Sequence, residues 1–430
     1  MNVADIESLD RESRGVAHVE GKAVFIDGAL PGERVEYSPY VKKPSYDLGQ
    51  LIHVIEPSAA RVDPRCPHYG VCGGCSLQHM DPRAQIAAKQ RVLEDALWHI
   101  GRVRPESMLP PIQGPSWRYR NRARLSARFV VKKGGAMVGF RERKSTYVAD
   151  MNSCEVLPES VSALIPKLRD LIGSLSVRDR LPQIEVAIGE TATVLVLRIL
   201  QPLIAADEAA LKTFADTNQV QLWLQPAGPD TAAAFWPKAA HPLFYSLPEF
   251  DVRIGFSPTE FTQVNEAVNR MLVRRALMLL DPRPGERIGD FFCGLGNFTL
   301  PIARMGASVT GYESSPDLVR RARENAEANG LEDAARFEAA NLYDRDDCGR
   351  TGAFDKALLD PPRSGAMELI KSFSGREPRR VVYVSCDPAT LARDAGMLVQ
   401  TLGYELRAAG VVNMFPHTSH VESVALLERG

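Results

Sequence analysis

A chain of 430 residues that is 45% hydrophobic and 24% charged exceeds one ordinary domain, and two or three are expected. It holds no run of 18 apolar residues, and its opening MNVADIESLDRESRG lacks the basic-then-apolar order of a secretory signal, so a cytoplasmic protein without a membrane partner is expected. The net charge of −1 hides an asymmetry: residues 101–150 hold 12 Lys and Arg against Glu106, Glu142 and Asp150, a patch that is either a solvated face or a surface for nucleic-acid phosphate.

Residues 1 to about 56 alternate short apolar runs (GVAHVE, KAVFID, GQLIHVIEP) with Gly and Pro turns, the pattern of a small antiparallel barrel. Lys22, Lys42, Lys43 and Tyr46 give it basic and aromatic surface suited to looped RNA, although a purely structural cap has the same pattern. The segment resembles a TRAM domain, an RNA-binding barrel.

RCPHYGVCGGCSLQHM follows, with Cys66, Cys72 and Cys75 spaced C-x5-C-x2-C. Thiols packed this closely in a reducing compartment read as metal or cluster ligands. Cys154, beyond the basic segment, offers the fourth thiolate, and zinc and an iron–sulfur cluster accept the same set. From Asp81, Ile86, Leu93, Leu97 and Ile100 recur at helical spacing until Pro110, Pro111 and Pro115. In SWRYRNRARLSARFVV, Arg118, Arg120, Arg122 and Arg124 alternate with other residues, so a strand there is expected to put four guanidiniums on one face. Residues 155–250 read as the rest of an α+β middle domain.

From residue 251 strands and helices alternate regularly, which predicts an α/β, doubly wound, Rossmann-like sheet closed by an antiparallel pair. The expected division is 1–60 barrel, 61–250 middle domain with the cysteine site and basic segment, and 251–430 catalytic domain. DFFCGLGN places Gly294 and Gly296 between a strand and a helix, and Glu313 ends the next strand, where a carboxylate can accept from two ribose hydroxyls. The third glycine of a dinucleotide fingerprint and the G-K-[ST] of a phosphate loop are missing, so adenosine carried on a methionine sulfonium fits better than a pyrophosphate. Asn341 and Asp360 end the third and fourth strands and are candidates for the adenine and the reacting centre.

YVSCDPATLARD delivers Cys386 to a strand-to-helix corner on that same edge. A lone strand-end cysteine is often an inert core thiol. Here it would face a methyl donor, and a thiolate added to carbon 6 of uracil makes carbon 5 nucleophilic. Glu422, in FPHTSHVES, can then take the carbon 5 proton, with His417 and His420 as alternative bases.

FTQVN, DFFCGLGNF, YE, LLDPPRSG, the Cys386 segment and FPHT-HVE stand in the order found in the S-adenosylmethionine-dependent RNA uracil-5 methyltransferases, which the chain resembles over nearly its whole length. With the barrel and cysteine loop it most resembles the bacterial branch acting on 23S ribosomal RNA. The resemblance implies a class I methyltransferase sheet and a [4Fe-4S] cluster on Cys66, Cys72, Cys75 and Cys154 in place of zinc. It also implies S-adenosylmethionine contacts from Gln263, Phe292, Asn297, Glu313, Asn341 and Asp360, Cys386 as nucleophile and Glu422 as base. The partner it implies is a 23S rRNA loop with a flipped uridine, with no obligate protein partner. Asp387 replaces the family's usual Asn, Asn413 a common Asp and Phe291 a usual Leu, and a carboxylate at 387 is expected to raise the Cys386 pKa unless an arginine offsets it. A tRNA uracil-5 methyltransferase and a noncatalytic RNA-binding iron–sulfur protein are the rival readings.

Overall fold

Short strands of alternating burial build the front of the computed structural model, which describes residues 2–239 and 241–430. Six of them between Asn2 and Glu56 wrap a core that includes Val24, Ile26, Val35 and Tyr37. The pairing is antiparallel throughout except that Lys22–Asp27 and Tyr46–Glu56 run parallel, because the last strand is inserted between Lys22–Asp27 and its own hairpin partner Arg34–Lys42. That corrects the wholly antiparallel expectation.

A second six-stranded sheet runs from Arg122 to Trp236, covered by the helices Leu164–Ser174 and Ala205–Asn218. Its strand Arg122–Val130 turns Ala123, Leu125 and Ala127 into the core and leaves Arg124 and Arg128 exposed. The four-guanidinium face expected of this segment does not form. Arg118 and Arg120 precede the strand, where their backbone N–H groups donate to the carbonyls of Glu155 and Val156, and Arg118 adopts a left-handed φ of 58°. Their side chains diverge as well: Arg118 pairs with Glu155 at 3.6 Å and Arg120 lies 5.8 Å from the Phe140 ring centre.

The catalytic sheet has eight strands: β1 (Arg287–Phe291), β2 (Ser308–Glu313), β3 (Ala335–Ala339), β4 (Lys356–Leu359), β5 (Arg380–Ser385), β6 (Glu405–Val412), β7 (Glu422–Glu428) and, at its edge and parallel to β6, the short Ser107–Met108. The order of β1 to β7 is β3-β2-β1-β4-β5-β7-β6, the first five parallel and β7 antiparallel to both neighbours, as the closing pair was expected to be. The order reverses between β1 and β4, which opens a crevice at the carboxyl ends of the strands. Phe291 is fully buried and stacks on Tyr312 at 5.3 Å. A Cβ on Gly289 would fall 2.6 Å from that ring, so the larger side chain at 291 is accommodated by a glycine two residues earlier on the same face.

Helix α1 (Pro82–Ala96), capped by Asp81 and continued by one wide turn to Gly101, comes from the segment assigned to the middle domain but packs on the catalytic sheet. A Cβ at Gly101 would collide with the Ala392 carbonyl of helix α2 (Pro388–Leu402), so the two helices meet backbone to backbone. Ile100, expected on the buried stripe, is exposed, whereas Gln85 and Lys89 are buried on α1. Among the described residues no helix is long and apolar enough to cross a membrane.

Candidate active site

The crevice is a cavity of about 430 Å³. Gln263, Phe292, Asn297, Glu313 and Asp360 line it together with Cys386 and Glu422. Asn341 does not line it, although its neighbours Ala340 and Leu342 do; it is exposed and its Oδ1 accepts from the Tyr343 N–H at 3.2 Å.

The glycine loop after β1 makes the cofactor end. Phe292, Gly294 and Gly296 all have positive φ, which folds the backbone back so that the Gly294 N–H donates to Glu313 Oε2 at 3.3 Å. Glu313 also accepts from the Ser315 N–H at 3.0 Å, so its carboxylate is oriented from two sides at the end of β2. The Asn297 amide exchanges hydrogen bonds with Asn269 and accepts from the Tyr245 hydroxyl at 2.9 Å, an anchoring Asn269 and Tyr245 gave no sequence sign of. Asn265 caps the following helix through the Val268 N–H, leaving Gln263 to face the cavity.

The reacting end follows from strand register. Ser385 pairs with Ser423, so the residue just past β5, Cys386, and the first residue of β7, Glu422, come side by side at the sheet edge. Burial, then the charges of Glu422 and Asp360, push the Cys386 thiol up to about 11, with Arg363 opposing. Asp387 is engaged elsewhere. Its carboxylate caps α2, accepting from the Ala389 N–H at 2.9 Å and the Thr390 N–H at 3.3 Å, a task an Asn would perform equally. Burial raises Asp360 to about 7, and burial with Asp360 raises Glu422 to about 8, against the pull of Lys89. Arg363, in LLDPPRSG but not singled out from sequence, lines this cavity and a second one of about 500 Å³ that opens on the other side of Cys386 towards Arg11, Glu12 and His99.

Of the alternative bases, His417 is outside both cavities: its ring stacks on Trp117 at 3.9 Å and its Nδ1 meets the Gln85 amide at 3.1 Å. His420 lines the second cavity beside Arg363, at 3.1 Å. The loop carrying Arg363 is held from α2. Asp394, fully buried, accepts from the Ala366 N–H at 2.6 Å and the Tyr383 hydroxyl at 2.7 Å, and Arg393 donates to the Ser364 carbonyl. Asp394→Ala leaves two buried donors unpaired and is expected to cost about 2–4 kcal/mol, read as a lower urea midpoint; an unchanged midpoint would refute this.

Cys66, Cys72, Cys75 and Cys154 line one further cavity, so the cysteine 79 positions beyond Cys75 does meet the loop. The basic hairpin wraps that loop: the Gly73 N–H donates to the Arg141 carbonyl and the Arg143 N–H to the Val71 carbonyl. Burial pushes Cys72 up to about 11 and Cys75 to about 12, with the neighbouring cysteines adding to it. Among the described residues no three Cys, His, Asp or Glu side chains converge as a single ion requires.

Residues 251–430 match the family model described as tRNA (Uracil-5-)-methyltransferase, and residues 4–36 match the TRAM domain. The chain is 61% identical over 432 residues to the 23S rRNA (uracil(1939)-C(5))-methyltransferase RlmD of Aromatoleum aromaticum, with 100% of both covered, and 59% identical over 430 residues to that of Dechloromonas aromatica, again with 100% of both covered. Among solved structures it superposes on the Pyrococcus abyssi tRNA (uracil-54, C5)-methyltransferase, solved with S-adenosyl-L-homocysteine, at a TM-score of 0.76 and 23% identity over 99% of both chains, a likeness of fold. A thiol and a carboxyl side by side in the crevice of such a sheet, together with that identity over the full length, place the chain: it belongs to the family of RNA uracil-C5 methyltransferases that includes the 23S rRNA enzymes RlmD.

Proposed function

We propose that this chain methylates carbon 5 of a specific uridine in 23S ribosomal RNA, in the cytoplasm, with S-adenosylmethionine as the methyl donor. The juxtaposition of Cys386 and Glu422 in the cavity that Glu313 and Asp360 also line carries the reading. S-adenosylmethionine supplies an electrophilic methyl group, held by Glu313 at the ribose and by Gln263, Phe292, Asn297 and Asp360, with Asn341 contributing only if its side chain turns inward. Cys386 would add as thiolate to carbon 6 of the flipped base, carbon 5 would take the methyl group as the sulfonium's S–CH3 bond breaks and its sulfur leaves as a neutral thioether, Glu422 would remove the carbon 5 proton, and the thiolate would leave as the 5,6 double bond re-forms.

The division into 1–60, 61–250 and 251–430 assigns the barrel and the basic hairpin to the flanking RNA. Labelled cofactor and 23S transcripts provide the test: label at carbon 5 of one uridine is expected, and label in tRNA transcripts alone would favour the tRNA reading. Two raised pKa values also set a pH dependence. Cys386 and Glu422 must both lose a proton to act, and both are held above their usual range, so activity is present at higher pH and lost as pH falls. Single-turnover release of methylated RNA is expected to rise roughly tenfold from pH 6.5 to 8; a flat profile counts against the assignment.

Cys66, Cys72, Cys75 and Cys154 would hold the [4Fe-4S] cluster. Four thiols round one cavity support ligation by four thiolates, and the choice of a cluster over zinc rests on the family resemblance. Iron and sulfide are expected in anaerobically purified protein and are expected to be lost in Cys72→Ser; stoichiometric zinc with no iron would reverse the choice.

A further inference from the structure

Helix α1 sends one lysine into the catalytic half. Lys89 is only 2% exposed, and its Nζ donates to Asn413 Oδ1 at 2.8 Å and to the Phe415 carbonyl at 2.8 Å. Both acceptors sit on the connection from β6 to β7 that ends at Glu422, and both are neutral, so neither cancels the ammonium charge. Glu422 is itself buried, and its Oε2 has no hydrogen-bond partner among the described residues. We infer that Lys89 is a positioning residue for the proton-abstracting step: it holds the connection that carries Glu422 and, by its charge, favours the ionised carboxyl that takes the carbon 5 proton. This rests on the reading of Glu422 as the base.

The charges facing the pair leave that task to Lys89. Glu422 is opposed by Asp360 from the end of β4 and supported by Lys89 from α1. Cys386, just past β5, feels Glu422, Asp360 and Arg363. His417 and His420, on the connection itself, are pushed down by burial and further by Lys89, with Arg363 and Arg120 also acting on His420, so both rings are neutral near pH 7. Burial likewise lowers Lys89, to about 7, and the Glu422 charge resists this, so lysine and carboxylate sustain each other's charge. Lys89 neither gives nor takes a proton in the step: the proton passes from carbon 5 to Glu422 and the electron pair expels the Cys386 thiolate.

The test follows the methylated covalent RNA adduct across pH 6–10 in the full-length protein with labelled S-adenosylmethionine and a 23S transcript. Lys89→Met is expected to form the labelled adduct but to release it about tenfold more slowly at pH 7, with the acid limb of release moved up by about one pH unit. Asn413→Asp, which keeps Lys89 and sets a carboxylate against it, is expected to move that limb the same way, and decides the matter if Lys89→Met does not fold. Limbs of these variants that coincide with the parent while Glu422→Gln still traps the adduct overturn the role of Lys89 alone. Release at the parental rate by Glu422→Gln overturns the base assignment and this inference with it.

Discussion

Cys386→Ala is expected to abolish methylation of a 23S transcript, by on the order of 10⁴-fold or more, and to end covalent capture of RNA. The size of the effect follows from the chemistry. Carbon 5 of uracil is a poor nucleophile, and no other thiol lies where it could replace Cys386: Cys293, which also lines the cavity, is buried, and burial with Asp290 and Glu313 raises its pKa well above the usual thiol range. If Cys386 were an inert core thiol, alanine would change activity little. Full methylation by the variant would falsify the mechanism. With its acidity near 11, Cys386 is almost wholly protonated at neutral pH before RNA arrives, so alkylation by iodoacetamide in the free protein should be slow and should quicken with pH.

Glu422→Gln is expected to slow product release by about 10²–10⁴-fold while leaving addition and methyl transfer in place, so that a methylated protein–RNA adduct accumulates and survives denaturing electrophoresis. Gln matches Glu in shape and removes a charge that burial disfavours, as the raised acidity near 8 indicates. Folding stability should therefore hold or rise, with the gain growing from about pH 4.5, the carboxyl's ordinary value, and levelling off near pH 8. A variant that unfolds, or that turns over normally, would contradict this account.

Much of the site could be read without coordinates because its chemistry is concentrated at strand ends. Cys386, Glu313 and Asp360 each close an apolar run, and an open parallel sheet brings all such ends to one edge. The cysteine loop was equally plain, since three thiols within ten residues have few other uses. What went unread depends on contacts between distant segments. Asp387 looked like an electrostatic burden on the nucleophile, yet it caps a helix. The alternating arginines looked like one face, but two of them lie outside the strand because their backbone bonds to the residues just after Cys154. Asn341 was placed by analogy of position and lies between two residues that line the cavity without lining it itself. Lys89 was hidden in an amphipathic pattern whose buried stripe was expected to be apolar.

The sequence by itself determined the sheet, the order of its strands along the chain and the identity of the groups that could do chemistry, because period, turn residues and motif spacing are local properties. Only the tertiary structure decided which of those groups meet. Strand register set Cys386 beside Glu422, the packing of α1 on α2 brought a lysine from residue 89 to a connection beginning at residue 413, and the cysteine cavity tied residue 154 to residue 75. Those meetings fix acidity and orientation through burial and neighbouring charge, which no local pattern encodes.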